Sequence, residues 1–303
     1  LEMIIQKVLA SDKLARRLTF LWHFGEPLIM GAEFYYQVDC LMNKHNIYDR
    51  KLHHSFQTNA SLIDQDWIQF FKDTHASVGV SIDGPAFVND EHRTNWTNRG
   101  THHLSLKGIE HLRTHDIPFG GICVITEKSL PYPIEILDFF IQNGFSWLGL
   151  NIERIEAIHH TSGFHSTDAI TNYSNFIRLF YQYWRKNIDK IHIREFSELL
   201  ESINAHLEVG VPPFLNTESE PFYILKINLD GDVSTFSLFQ NPGSDTDFSF
   251  GNIQDVQEFD QFFINKKMLL QYQSIQSGIN QCKETCKYYS LCGGGSPPAK
   301  YYE

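Results

Sequence analysis

Between residues 18 and 153 the chain repeats one unit: a short apolar run, a polar or glycine-bearing turn, then an amphipathic stretch. The apolar runs lie at 18–22, 54–58, 77–82, 118–126 and 147–152. The stretches between them, at 31–45, 64–75, 101–115 and 133–142, carry apolar residues three and four positions apart, which is helical spacing. Connections this long cannot be hairpins; they imply parallel strands joined by right-handed helical crossovers. Five strands precede Glu153. The chain also opens on a helical segment, residues 1–17, with Met3, Ile4, Val8, Leu9 and Leu14 as its apolar positions. A further strand is therefore expected upstream, and the expected fold is α/β, a partial (β/α)6 barrel lacking its first strand.

The rhythm changes after residue 157. Two long helical stretches follow at 169–190 and 194–209, and then residues 223–229 alternate and reach Asp230-Gly231-Asp232, a strong hairpin signal. A helix from about residue 255 leads to the C-terminal cysteines. The expected organisation is a partial barrel over 1–156, a helical connection over 157–215 and a second domain over 216–303.

A net charge of −11 argues against a nucleic-acid partner held through phosphates. No run of eighteen apolar residues exists and the first residues lack a signal-peptide layout, so neither a membrane span nor secretion is expected. The five cysteines are an odd number, which points to a reducing, cytoplasmic setting and a metal site rather than disulfides. Cys40 and Cys123 sit alone in apolar segments and read as small buried thiols. Cys282, Cys286 and Cys292 crowd together, and three thiolates at that spacing can converge on one metal or cluster. The adjacent pairs His53-His54, His102-His103 and His159-His160 read as solvated histidines, because neighbouring side chains diverge in a strand. Gly293-Gly294-Gly295 lacks the flanking strand and Lys-Ser/Thr pair of a phosphate loop.

Polar groups recur where each strand should end. Trp22-His23-Phe24-Gly25-Glu26-Pro27 closes the first strand, Gln57-Thr58-Asn59 the second and Ser81-Ile82-Asp83-Gly84-Pro85 the third. Asp90-Glu91-His92-Arg93 follows, and Asn151-Ile152-Glu153 closes the fifth strand. In parallel barrels these ends share one rim, so the set describes a ligand-binding mouth.

In this order the motifs resemble radical S-adenosylmethionine (SAM) enzymes with a C-terminal SPASM-type domain, over roughly residues 18–303. The runs Asn151-Ile152-Glu153-Arg154-Ile155-Glu156, Ser234-Thr235-Phe236-Ser237 and Cys292-Gly293-Gly294-Gly295-Ser296-Pro297 look most like the cyclophane-forming peptide maturases. The resemblance implies SAM beside Gly25 and Glu26, with Thr58, Asn59, Ser81, Asp83, Asn151 and Glu153 facing cofactor or substrate. It also implies an auxiliary iron–sulfur cluster on Cys282, Cys286 and Cys292, a precursor peptide as substrate, and an electron donor such as flavodoxin or ferredoxin. The implied reaction is a carbon–carbon crosslink installed through a 5′-deoxyadenosyl radical.

Two features depart from the family pattern. Phe24 stands where a second glycine is usual, and the Cys-x3-Cys-x2-Cys loop for the catalytic [4Fe–4S] cluster is absent from this sequence. Either the cluster segment belongs to a longer protein, or the chain is a degenerate homologue that binds a peptide or partner with a structural metal site.

Overall fold

A computed structural model of the chain describes residues 1–153, 164, 167–209, 216–236 and 248–297. Six parallel strands pair in sequence order: β1 (Arg17–Trp22), β2 (Lys51–Thr58), β3 (Ser77–Ser81), β4 (Phe119–Ile125), β5 (Trp147–Ile152) and β6 (His192–Ile193). The crossovers carry α2 (Ala32–His45), α3 (Gln65–Thr74), the short α4 (Ala86–Asn89) with α5 (His102–Thr114), α6 (Pro133–Gln142) and α7 (Thr167–Trp184). Helix α1 (Glu2–Ala10) precedes the sheet and α8 (Arg194–Val209) follows it. This is the sequential α/β architecture expected, with one strand more within the chain than the five counted. Strand β6 escapes a sequence reading because two residues are too few for any periodicity. It is defined by its pairing with Trp147 and Leu148 of β5.

Local chemistry sets several boundaries. The Asp64 carboxylate accepts the Asp66 and Trp67 amides, both at 3.1 Å, and so starts α3. Helix α1 stops at Ala10, well short of residue 17, because the buried Arg50 guanidinium takes the Leu9 carbonyl at 2.7 Å and also that of Ser11. Those carbonyls lie at the helix end, where a cation is favoured.

Residues 18–22 do not form a strand buried on both faces. Along β1, Leu18, Phe20 and Trp22 pack against the helical layer, while Arg17, Thr19 and Leu21 are exposed on the other face. The next strands keep the division: His54, Phe56, Val78, Val80, Leu148 and Leu150 join the core. The opposite face carries His53, Ser55, Gln57, Ser77, Gly79 and Ser81, with His53 to Ser77 at 2.8 Å and Gln57 to Ser81 at 2.7 Å. Across β2 and β3 this face is polar, whereas Leu21 of β1, Ile122 of β4 and Trp147 of β5 add apolar groups to it.

The C-terminal part holds an antiparallel sheet of β7 (Lys226–Ile227), β8 (Asp232–Ser234) and β9 (Gly251–Asn252), then α9 (Lys266–Thr285) and α10 (Tyr289–Cys292). The expected hairpin forms, with Gly231 at φ +93° in its turn. Helix α9 starts at Lys266 rather than near residue 255, because the Asn265 side chain caps it through the Lys267 and Met268 amides. A second buried cluster, including Val233, Phe250, Ile253, Phe259 and Phe262, forms here. Helix α1 serves both clusters: Ile5 and Leu9 enter the first, Val8 enters the second, and Lys7 Nζ donates to the Ile253 and Val256 carbonyls at 2.9 and 2.6 Å. Among the described residues, no helix is long and apolar enough to cross a membrane.

The histidine and cysteine expectations need correction. His54 and His102 are buried, and Cys40 is exposed, whereas Cys123 is buried as anticipated. His159 and His160 lie outside the described residues. His54 accepts the Trp22 indole N–H at Nδ1 (2.9 Å), so its Nε2 carries the hydrogen and faces Asp39 at 3.3 Å. Burial holds this imidazole below its ordinary value of 6.5, against the opposing pull of Asp39. The unfolded chain therefore takes up the proton first, and stability falls as pH drops below about 6.5. Chemical denaturation between pH 7 and pH 5 should show this loss, and His54→Gln should reduce it, leaving the share of His23 and His102, which burial also holds low.

Candidate functional site

Parallel pairing in sequence order places the ends of β1 to β5 on one rim, and the expected site residues fall there in three clusters. The first joins the β1 and β2 loops. Glu26 Oε1 accepts the Leu28 amide at 3.1 Å and the Thr58 hydroxyl at 2.6 Å, while Oε2 accepts the Asn59 amide at 2.8 Å. Thr58 Oγ1 in turn accepts the Ala60 amide, and Asn59 Oδ1 the Ser61 amide. Tyr35 donates to the Pro27 carbonyl at 2.9 Å, and burial, then the nearby Glu26 carboxylate, push its phenol up to about 12. Three donors already hold the Glu26 carboxylate, so its work is to clamp two loops.

What faces open space is the backbone before it. Phe24 and Gly25 both adopt left-handed conformations, at φ +70° and +67°, and a Cβ on Gly25 would meet nothing within 4 Å. Glycine takes this conformation freely, whereas a phenylalanine there costs about 1–2 kcal/mol. The Phe24 ring lies 4.3 Å from the His23 ring, and Lys226 Nζ of β7 sits 4.6 Å above it. Desolvation first, and the Lys226 ammonium second, hold the His23 imidazole below its usual range. The phenyl group remains 40% exposed at the mouth.

The second cluster surrounds Asp83, which is 5% exposed. Arg93 grips its carboxylate in bidentate fashion at 2.7 and 2.8 Å, and the Val124 amide donates to it at 2.9 Å. Asp83 is thus held by structural partners, tying β3 to β4 and the α4 segment. Cys123 lies beneath, donating to the Asp83 carbonyl, and burial pushes its thiol up, which leaves it inert. Ser81 accepts from Gln57 on the polar face.

The third cluster lies at β5 and β6. Arg194 Nη2 donates to Asn151 Oδ1 at 2.8 Å, and Glu195 holds Arg194 while accepting the Leu150 amide at 3.0 Å. Gly149 leaves the space that the guanidinium fills. The half-buried Glu153 follows, its amide donating to the Ile125 carbonyl at 2.9 Å. Sequence reasoning missed Arg194 and Lys226. The only signal for Lys226 was a cation inside the alternating run 223–229; Arg194 carried none.

Cys282 lies in α9, Cys286 ends it and Cys292 closes α10, all as free thiols. Among the described residues, no three His, Cys, Asp or Glu side chains are placed to hold a metal ion. The expected ligand set of Cys282, Cys286 and Cys292 is therefore not assembled in this arrangement. The Gly25 loop and the polar face do suit a ligand rich in hydrogen-bonding groups: the open backbone at Gly25 admits close approach, and small or polar side chains leave the sheet accessible.

If Glu26 is a clamp, its effect must appear without ligand. Glu26→Gln would set an amide N–H₂ against either the Asn59 N–H or the Leu28 and Thr58 donors. Thermal or urea denaturation of the ligand-free protein should show a loss of about 1–3 kcal/mol. Asp83→Asn, which breaks the bidentate pair, should cost about 3 kcal/mol in the same assay.

No family model matches the chain. An uncharacterised protein of Synechocystis sp. is 34% identical over 310 residues, covering 100% of this chain and 77% of the relative. The cysteine-type anaerobic sulfatase-maturating enzyme of Clostridium perfringens is 26% identical over 302 residues, with 97% and 77% covered. A solved structure of anSMEcpe with bound AdoMet (SAM) and peptide superposes with a TM-score of 0.80 at 23% identity, covering 97% of this chain and 79% of that one.

Proposed function

The chain belongs to the radical SAM maturase family that includes the anaerobic sulfatase-maturating enzymes, and on that premise we propose that it modifies a peptide at the mouth of its parallel sheet. The observation that carries this reading is the rim itself: polar groups from β1, β2, β3 and β5 share one edge, above the polar face of β2 and β3. In this family SAM, given one electron by an iron–sulfur cluster, supplies a 5′-deoxyadenosyl radical that removes hydrogen from carbon. The cluster is assigned to a cysteine loop preceding the β1 region in the intact protein, with flavodoxin or ferredoxin as electron source.

The residues of this chain bind, orient and exclude water. Glu26 fixes the loop so that the Gly25 backbone receives the SAM ammonium group, and Thr58, Asn59 and Ser81 shape the adjoining wall. Asp83 keeps β3 and β4 in register beneath it. Asn151, Glu153 and Arg194 stand four and five strands away from β1 and meet the peptide. Holding the peptide carbon in place and keeping water out is the protein's share of catalysis.

The modification we propose is a carbon–carbon crosslink between a side-chain β-carbon and a neighbouring aromatic ring of a ribosomal precursor peptide. The cyclophane-maturase motifs at 151–156, 234–237 and 292–297 support it. A second reading, modification of a single cysteine or serine, is favoured by the relatives named as cysteine-type and serine-type sulfatase-maturating enzymes.

Anaerobic incubation of the intact, cluster-loaded protein with SAM and candidate peptides separates them by mass spectrometry. The crosslink removes two hydrogens, one as an atom to the 5′-deoxyadenosyl radical and one as a proton whose electron would pass to an iron–sulfur cluster, and it suppresses fragment ions between the joined residues. A change confined to one cysteine or serine supports the second reading. Peptide binding without 5′-deoxyadenosine formation would instead identify a binding module.

A further inference from the structure

We infer that Phe24 and Lys226 are a coupled pair of positioning residues, through which the C-terminal hairpin holds the Gly25 loop in its ligand-ready shape. The inference rests on the SAM-binding reading of that loop. Two residues in succession, Phe24 and Gly25, take left-handed conformations, and only the second can do so without steric cost. A phenylalanine in this conformation persists only when its surroundings hold it.

The surroundings come from the preceding residue and from a distant part of the chain. His23 flanks the ring at 4.3 Å, and Lys226 caps it at 4.6 Å, well within the range of a cation–π contact. Lys226 is itself firmly placed. It pairs with Ser234 in the hairpin, and the adjacent Val233 is fully buried in the second core. Lys226 is half-buried, and desolvation strengthens the attraction of a cation to an aromatic face. A chain with glycine at position 24 would need no such support, because glycine enters the left-handed region unaided. In this protein the shape of the loop and the docking of the hairpin have become one equilibrium.

Coupling of this kind has a signature that a merely structural lysine lacks. In the intact, cluster-loaded protein, SAM affinity is measured by calorimetry for the parent, Lys226→Met, Phe24→Gly and the double variant. Lys226→Met should weaken SAM binding by about three- to tenfold in the Phe24 background. The same substitution should have no measurable effect once Phe24→Gly is present. Lys226→Arg, which keeps a cation over the ring, should bind SAM as the parent does and controls for loss of folding.

An equal effect of Lys226→Met in both backgrounds would mean that Lys226 acts on SAM or the fold directly, and would overturn the inference. So would no effect in either. Failure of the parent itself to bind SAM would overturn the reading of the loop, and is told apart because it precedes any comparison of variants.

Discussion

Parallel pairing in sequence order is the constraint from which the rest of this structure follows. Each crossover helix returns the chain to the start of the sheet, so every strand delivers its last residue to the same rim. The helices bury one face, and aromatic residues dominate that contact: Phe56, Trp67, Phe70 and Phe71 interlock behind β2, and Phe140 and Phe145 behind β4. With that face filled, the opposite one can remain polar. Large side chains are laid over glycines of the neighbouring strand, as Gln57 over Gly79, Trp147 over Gly120 and Arg194 over Gly149. The result is a floor of Gln57, Trp147 and Arg194 side chains beneath a rim of loops.

The rim shows how a binding loop can be rigid without being packed. Its fixed points are charged groups each held by three hydrogen bonds: Glu26 by two amides and a hydroxyl, Asp83 by the Arg93 fork and a backbone amide. Such carboxylates act through the backbone they hold. Beside Glu26 and Asp83, the groups left to face a ligand are then main-chain atoms and neutral side chains such as those of Ser81 and Asn59.

Much of this was readable from the residues alone. Strands and helices with long, regular periodicity were placed closely, as at β5 or α6, and Asp64 announced the start of α3. Strand β6 was hidden because His192 and Ile193 gain strand character only from β5. Arg50 ended α1 from forty residues away, which no local pattern could reveal. Among site residues, motif order located the rim but could not distinguish a ligand contact from a clamp, since Glu26 and Asp83 have identical chemistry in either role. The left-handed backbone at Phe24 was invisible for the same reason: phenylalanine carries no signal for a conformation it rarely adopts.

Helix α1 has a consequence for how this architecture can be rearranged. Its Ile5 and Leu9 belong to the sheet's core, while Val8 and Lys7 belong to the C-terminal one. A nine-residue helix therefore acts as a shared wall, and neither compartment has an independent inventory of contacts. Exchanging the C-terminal module for that of a relative would strand Val8 and Lys7 against foreign surfaces. Recombination that preserves folding must carry the first ten residues along with the last eighty, although they lie at opposite ends of the described chain.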